Sequence, residues 1–128
     1  MKDKVVIVTG ASSGIGKATA ALFAENGCKV VALGRNQKEL DDLRSSLSDG
    51  SGELKVQLAD LREHSQIDRI VSEIVSSFGQ IDVLVNSAGI IKNGNIENTT
   101  LDDWDKMMNV NLRSVFYLTQ KCVPHMTE

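Results

Sequence analysis

No stretch of this sequence approaches the roughly 20 consecutive apolar residues that a membrane-crossing helix needs. The apolar part of the opening MKDKVVIVTGASSGIG is too short for a secretory signal. No membrane span is expected, and the expected address is cytoplasmic. A basic excess is missing too: 14 Lys and Arg face 17 Asp and Glu, for a net charge of −3. No positive field then gathers nucleic acid or anionic lipid, and neither partner is expected. Cys28 and Cys122 lie far apart, without CxxC or Cys/His ligand spacing, which reads as buried reduced thiols and not as a disulfide or a metal site. His64 and His125 stand alone and are expected at the surface, so no metal is expected.

What is present is a globular composition, 41% hydrophobic and 24% charged over 128 residues, enough for one core and a single unit. Short apolar runs alternate with stretches of helical period, the pattern of βαβ units around a parallel sheet covered on both faces. Val5 to Val8, Val30 to Leu33 and Val83 to Val85 are continuous runs, as doubly buried strands should be. The run from Leu54 to Ala59 alternates and fits an edge strand. Between Gly14 and Gly27 a helix is expected with Ile15, Ala18 and Leu22 on its apolar face and Asn26-Gly27 as its stop. Ile67, Ile70, Val71, Ile74, Val75 and Phe78 define a second helix, with Ser65 and Asp68 as a capping box and Gly79 as terminator. Thr100 and Asp103 offer the same cap for a last helical region. SSLSDGSGE reads as a surface loop.

VVIVTGASSGIGKATAALF places Gly10, Gly14 and Gly16 between a buried strand and a helix. The spacing is not that of a Walker loop, since Gly16-Lys17 comes one residue too late and Ala18 supplies no hydroxyl for magnesium. The physics of anion binding is nevertheless available. Gly10 turns the chain off the strand, Gly14 offers bare backbone to a diphosphate, and Gly16 permits tight helix packing. Free N–H groups near Ile15 point at the anion, and Ser12 and Ser13 can add hydroxyl donors.

TGASSGIG, from Thr9 to Gly16, resembles the cofactor loop of the short-chain dehydrogenase/reductase family, Thr-Gly-x-x-x-Gly-x-Gly. ADL at Ala59 to Leu61, NSAG at Asn86 to Gly89 and WDKMMNVNL at Trp104 to Leu112 follow in the family's order. The resemblance covers the whole chain. It implies an α/β, Rossmann-type doubly wound parallel sheet with strand order 3-2-1-4, present here as the N-terminal cofactor-binding half.

The resemblance also assigns residues. Thr9, Gly10, Ser12, Ser13, Gly14, Ile15 and Gly16 belong to the cofactor loop. Asp60 accepts from the adenine amino group with Leu61 alongside, and Asn86, Ala88 and Gly89 lie on the ribose side. Ser87 stands where the family usually has a second asparagine. Val110 packs near the cofactor, and Asn111 holds a water in the proton relay, one of four catalytic residues. Charge at the end of the second strand bears on which nicotinamide cofactor fits. Gly34 leaves out the acid that takes the ribose hydroxyls of NAD, while Arg35 offers a planar, permanently charged fork to a 2′-phosphate. NADP(H) is expected over NAD(H), the other reading leaving Arg35 a solvated loop residue.

YLTQK sets Tyr117 four residues before Lys121, the spacing of the family's proton donor. Its place on the helix argues against that role. Leu112, Val115, Phe116, Thr119, Cys122, Val123 and Met126 form an apolar stripe expected to face the sheet, with the pair on the opposite side. Tyr117 also lies about 9 Å beyond Asn111 along the helix. The family's serine and Tyr-x-x-x-Lys come later than Glu128. The expected function is therefore that of an N-terminal fragment of an NADP(H)-dependent oxidoreductase. It acts on a small-molecule alcohol or carbonyl substrate and is a homo-oligomer at full length. The alternative is a non-catalytic short product that binds nucleotide or a partner.

Overall fold

A computed structural model describes residues 1–91 and 93–126. Its centre is a parallel sheet of four strands in the order β3-β2-β1-β4: Val5–Val8 (β1), Lys29–Gly34 (β2), Leu54–Leu58 (β3) and Val83–Val85 (β4). The register pairs Val6 with both Val30 and Val83, and Val30 with Leu54. All of β1 is buried because both faces of the sheet are covered. Val5, Ile7, Val31 and Leu33 point into one core; Val6, Val8, Val30 and Ala32 point into the other. β3 lies at an edge and is only partly buried, as its alternation predicts.

Helices α1 (Gly14–Glu25) and α2 (Gln37–Ser45) cover the second core, while α3 (His64–Phe78) and α5 (Ser114–Cys122) cover the first. The apolar face of α1 differs from the expectation. Gly16, Ala20 and Ala24 are buried, whereas Ile15 is 81% and Leu22 62% exposed, and Ala18 is exposed with them. The reason is distance: only residues with little or no side chain fit where the helix runs against β1. Asn26-Gly27 does end the helix, with Gly27 at φ +84°.

In α3 the apolar positions are placed as expected, with Ile67, Ile70, Val71 and Ile74 buried and Gly79 closing the helix in the left-handed region. The Ser65/Asp68 capping box does not form. The helix begins two residues earlier, after Glu63, without a side-chain cap. Asp68 is drawn away by tertiary contacts, accepting from Tyr117 Oη at 2.6 Å and pairing with Lys121 Nζ at 3.6 Å.

The last helical region starts at Thr100, whose hydroxyl accepts from the Asp103 N–H at 3.1 Å. It runs through α4 (Leu101–Met108), a π-turn at Asn109–Arg113, α5, and a 3₁₀ turn at Val123–His125. Its buried face is Val110, Ser114, Leu118 and Cys122, turned by about 100°, one residue, from the expected stripe. Leu112 and Phe116 are 64% and 65% exposed. The helix carries two apolar faces, and periodicity alone averages them. Ser114 lies on the sheet side because its hydroxyl is satisfied within the helix, donating to the Val110 carbonyl at 2.6 Å. Tyr117, half-buried, and Lys121, exposed, both reach across to Asp68 of α3.

Both cysteines are buried free thiols, and burial pushes Cys122 up to about 11. His125 is exposed, as expected; His64 is half-buried and stacks on Tyr117 at 4.4 Å. Among the described residues no helix is long and apolar enough to cross a membrane, and no cluster of His, Cys, Asp and Glu could hold a metal ion.

Candidate functional site

Parallel strands deliver their C-terminal ends to one edge of the sheet, where order 3-2-1-4 leaves a crevice between loops that diverge to opposite faces. A cleft of about 240 Å³ lies there, lined by Gly10, Ser12 and Ser13 after β1, Gly34, Arg35 and Asn36 at β2, Ala59, Asp60 and Leu61 after β3, and Ala88, Gly89 and Ile90 after β4, with Val110 at its base. One end is polar and glycine-rich. The other is walled by Leu33, Ala59, Leu61 and Val110.

Gly10 has φ +62°, and a Cβ there would come within 2.6 Å of the Ser87 carbonyl oxygen. Gly16 is packed as tightly, against the Gly10 carbonyl. Gly14 contrasts with both: at φ +57° its Cβ position has nothing within 4 Å. The loop is closed against the protein beneath and bare above. Ser13 makes no capping bond to α1, which leaves the first-turn N–H groups for another acceptor. Ser12 Oγ is buried without a hydrogen-bond partner among the described residues, and it occupies the space that a side chain at Gly34 would fill. A buried orphan hydroxyl, uncapped helix amides and an exposed guanidinium at Arg35 share one need, an anion. The residues present therefore fit a phosphorylated nucleotide.

Other sequence-derived candidates sit beside the cleft and shape it. Thr9 is 1% exposed. Its hydroxyl accepts from the Ser87 and Ala88 N–H groups, both at 3.0 Å, so it stitches the end of β1 to the turn after β4. This backbone clamp serves the turn that carries Ser87. Ile15 projects into solvent. Asn86 donates to Thr119 Oγ1 at 3.4 Å and forms no part of the cleft wall. Lys17 is paired with Glu39 at 3.5 Å.

Asn111 lies in the π-turn, and both ends of its amide are engaged. Nδ2 donates to the Ile90 carbonyl at 2.7 Å, and Oδ1 accepts from the Ile90 N–H at 2.8 Å. The amide pins the loop after β4 to the helix. Asn111 is placed for this by the extra residue of the π-turn, a feature frequent at functional sites. Periodicity does not reveal it.

Tyr117 and Lys121 stay apart from the cleft, as argued from the sequence, though for another reason. They are bound to Asp68 of α3, and the Asp68 carboxylate pushes the Tyr117 hydroxyl pKa upward, opposite to what a proton donor needs. Arg62 escaped the sequence reading. It grips Asp60 through two guanidinium bonds of 3.0 and 2.8 Å, and its signal was the Asp-x-Arg spacing.

Solved structures with this architecture include a Serratia marcescens short-chain dehydrogenase/reductase double mutant (TM-score 0.91, 34% identity, 98% of this chain and 52% of that one). A metagenomic short-chain oxidoreductase in complex with NADP is similar too (TM-score 0.92, 30% identity, 98% of this chain and 57% of that one). Among curated proteins, the 3-oxoacyl-[acyl-carrier-protein] reductase FabG of Thermotoga maritima is 40% identical over 126 residues, 98% of this chain and 51% of the relative. An uncharacterised oxidoreductase of Staphylococcus aureus is 38% identical over 128 residues, all of this chain and 54% of the relative. The chain thus spans about half the length of the curated relatives it matches. A model of the short chain dehydrogenase family matches residues 4–128, and the glycine loop, the 3-2-1-4 sheet and the cleft at its edge are placed accordingly: the chain belongs to the short-chain dehydrogenase/reductase family.

Proposed function

We propose that this chain is the nucleotide-binding part of an NADP(H)-dependent oxidoreductase acting on an alcohol or carbonyl group of a small molecule. The observation that carries the NADP(H) preference is the orphan Ser12 hydroxyl packed at Gly34 beside Arg35. A hydroxyl donor and a guanidinium fork at the end of β2, with no acid between them, suit a 2′-phosphate. The nicotinamide supplies the hydride chemistry when bound. This chain's residues bind and orient. Gly10, Ser12, Ser13, Gly14 and the first turn of α1 take the diphosphate, with Thr9, Ile15 and Gly16 shaping the loop. Asp60 and Leu61 take the adenine end, while Ala88, Gly89 and Val110 border the ribose and nicotinamide, with Asn86 at the end of β4 behind that wall. Asn111 fixes the loop that walls the reacting end. The names of two relatives, 3-oxoacyl-[acyl-carrier-protein] reductase and levodione reductase, favour carbonyl reduction. The exposed stripe of Leu101, Trp104, Leu112 and Phe116 supports association of copies at full length, and the two reduced thiols support a cytoplasmic location.

The test is a titration of the full-length protein with NADPH and NADH, followed by turnover on a carbonyl panel. Arg35→Ala is expected to weaken NADPH about 10- to 100-fold while leaving NADH within about 3-fold, from loss of charge-assisted hydrogen bonds. Equal losses for both cofactors would remove the 2′-phosphate role.

One observation favours a second reading for residues 1–128 by themselves, binding without turnover: the Tyr117–Lys121 pair is committed to Asp68. Tyr117→Phe is accordingly expected to leave kcat and KM of the full-length enzyme unchanged while lowering Tm slightly. A collapse of kcat with the fold intact would return Tyr117 to the chemistry.

A further inference from the structure

The apolar end of the cleft has one carboxylate at its rim, Asp60, and that carboxylate is held by its neighbour. Oδ1 accepts from the Arg62 backbone N–H and from Nε, both at 3.0 Å, while Oδ2 accepts from Nη2 at 2.8 Å. A carboxylate offers about four lone-pair directions. Three are used by Arg62, and the remaining one belongs to Oδ2. The backbone is held separately, the Asp60 N–H donating to Gln66 Oε1 at 2.9 Å. Arg62 chiefly, with Arg35 adding a smaller share, holds the Asp60 pKa below its ordinary value. The slot thus ends in a charged acceptor that can neither swing nor readily take up a proton.

We infer that Arg62 is a positioning residue for reading the 6-amino edge of a purine: it aims the free lone pair of Asp60 Oδ2 at the ring in the slot. This rests on the dinucleotide reading of the cleft. A 6-amino group donates one hydrogen bond to Oδ2. A 6-oxo group sets two acceptors against each other, and Arg62 blocks both escapes, rotation of the carboxylate and its protonation. Without Arg62 the acid turns freely and titrates in the usual carboxylate range, and once protonated it can donate to a 6-oxo ring.

The experiment measures dissociation constants of the full-length protein for NADP⁺, its hypoxanthine counterpart and NAD⁺ between about pH 7 and pH 3. It compares the wild-type chain, Arg62→Gln and Arg62→Lys. The wild type is expected to prefer adenine about 10-fold or more, from one charge-assisted hydrogen bond gained and one repulsion avoided. A depressed carboxylate keeps that preference above its pKa and loses it as pH falls through it. Arg62→Gln raises that point toward the ordinary value of about 4. Its preference should therefore be a few-fold smaller at neutral pH and vanish at a higher pH than in the wild type. Arg62→Lys, which restores charge without the fork, should lie between.

The ratio is internal to each variant, so lower stability does not mimic the effect. An unchanged ratio and pH profile in Arg62→Gln would overturn the inference. So would a selective loss of NADP⁺ over NAD⁺ with the base ratio intact, which would put the guanidinium on the phosphate. A wild type that binds NADP⁺ tightly without preferring adenine removes the Arg62 role alone. A wild type that binds neither NADP⁺ nor NAD⁺ removes the dinucleotide reading, and this inference with it.

Discussion

Gly16→Ala is expected to destabilise the protein by about 2–3 kcal/mol, whereas Gly14→Ala, two residues away, should abolish nucleotide binding at a cost of only about 1 kcal/mol. At Gly16 the new methyl meets the Gly10 carbonyl and comes within 3.0 Å of the Thr9 carbonyl oxygen. Both are backbone groups in the turn off β1, so relief requires moving α1 away from the sheet. The gain in helix propensity, up to about 1 kcal/mol, offsets only part of this. At Gly14 nothing lies within 4 Å, and the cost is that of holding alanine at φ +57°. There the methyl points where a diphosphate must approach the backbone. Urea denaturation read beside NADPH titration of the full-length protein separates the pair. Wild-type stability in Gly16→Ala, or wild-type affinity in Gly14→Ala, would show that the closed and open sides of the loop are misassigned.

The second large effect is expected at Asn111. Asn111→Ala breaks two hydrogen bonds to Ile90 and should cost about 1–2 kcal/mol. It should also lower kcat/KM of the full-length enzyme about 100-fold, since an ångström of drift in a site wall suffices for that. Asn111→Asp is informative because its carboxylate can still accept from the Ile90 N–H but faces the Ile90 carbonyl with lone pairs. It should recover part of the activity only. If Asn111→Ala kept wild-type Tm and nucleotide affinity while turnover still fell, the side chain would have a chemical role instead of the positioning role argued from its bonds.

Much of the cleft was legible in the amino-acid order because its parts are local. A glycine loop between strand and helix, an acid after β3 and an arginine after β2 each sit at a strand end, and parallel connectivity brings strand ends together. Four of the elements were read with nearly correct bounds for the same reason, since their continuous apolar runs or helical repeats reflect burial directly. The errors came where one residue had to serve two neighbours. Asp68 looked like a capping residue until α5 was known to lie across from it. The stripe through Leu112 and Phe116 looked like a core face until Ser114 and Leu118 were seen against the sheet.

Strand type, helix positions, the anion loop and the charge beside it are consequences of chain chemistry within a few residues, since backbone preference and hydrophobic period act over that range. Which face of α1 and α5 is buried, the partners of Tyr117, the pinning of Ile90 by Asn111 and the grip of Arg62 on Asp60 arose on folding. Those outcomes depend on how closely two elements can approach and on which donor reaches a given oxygen first. Both are properties of packed neighbours, which no local stretch of residues encodes.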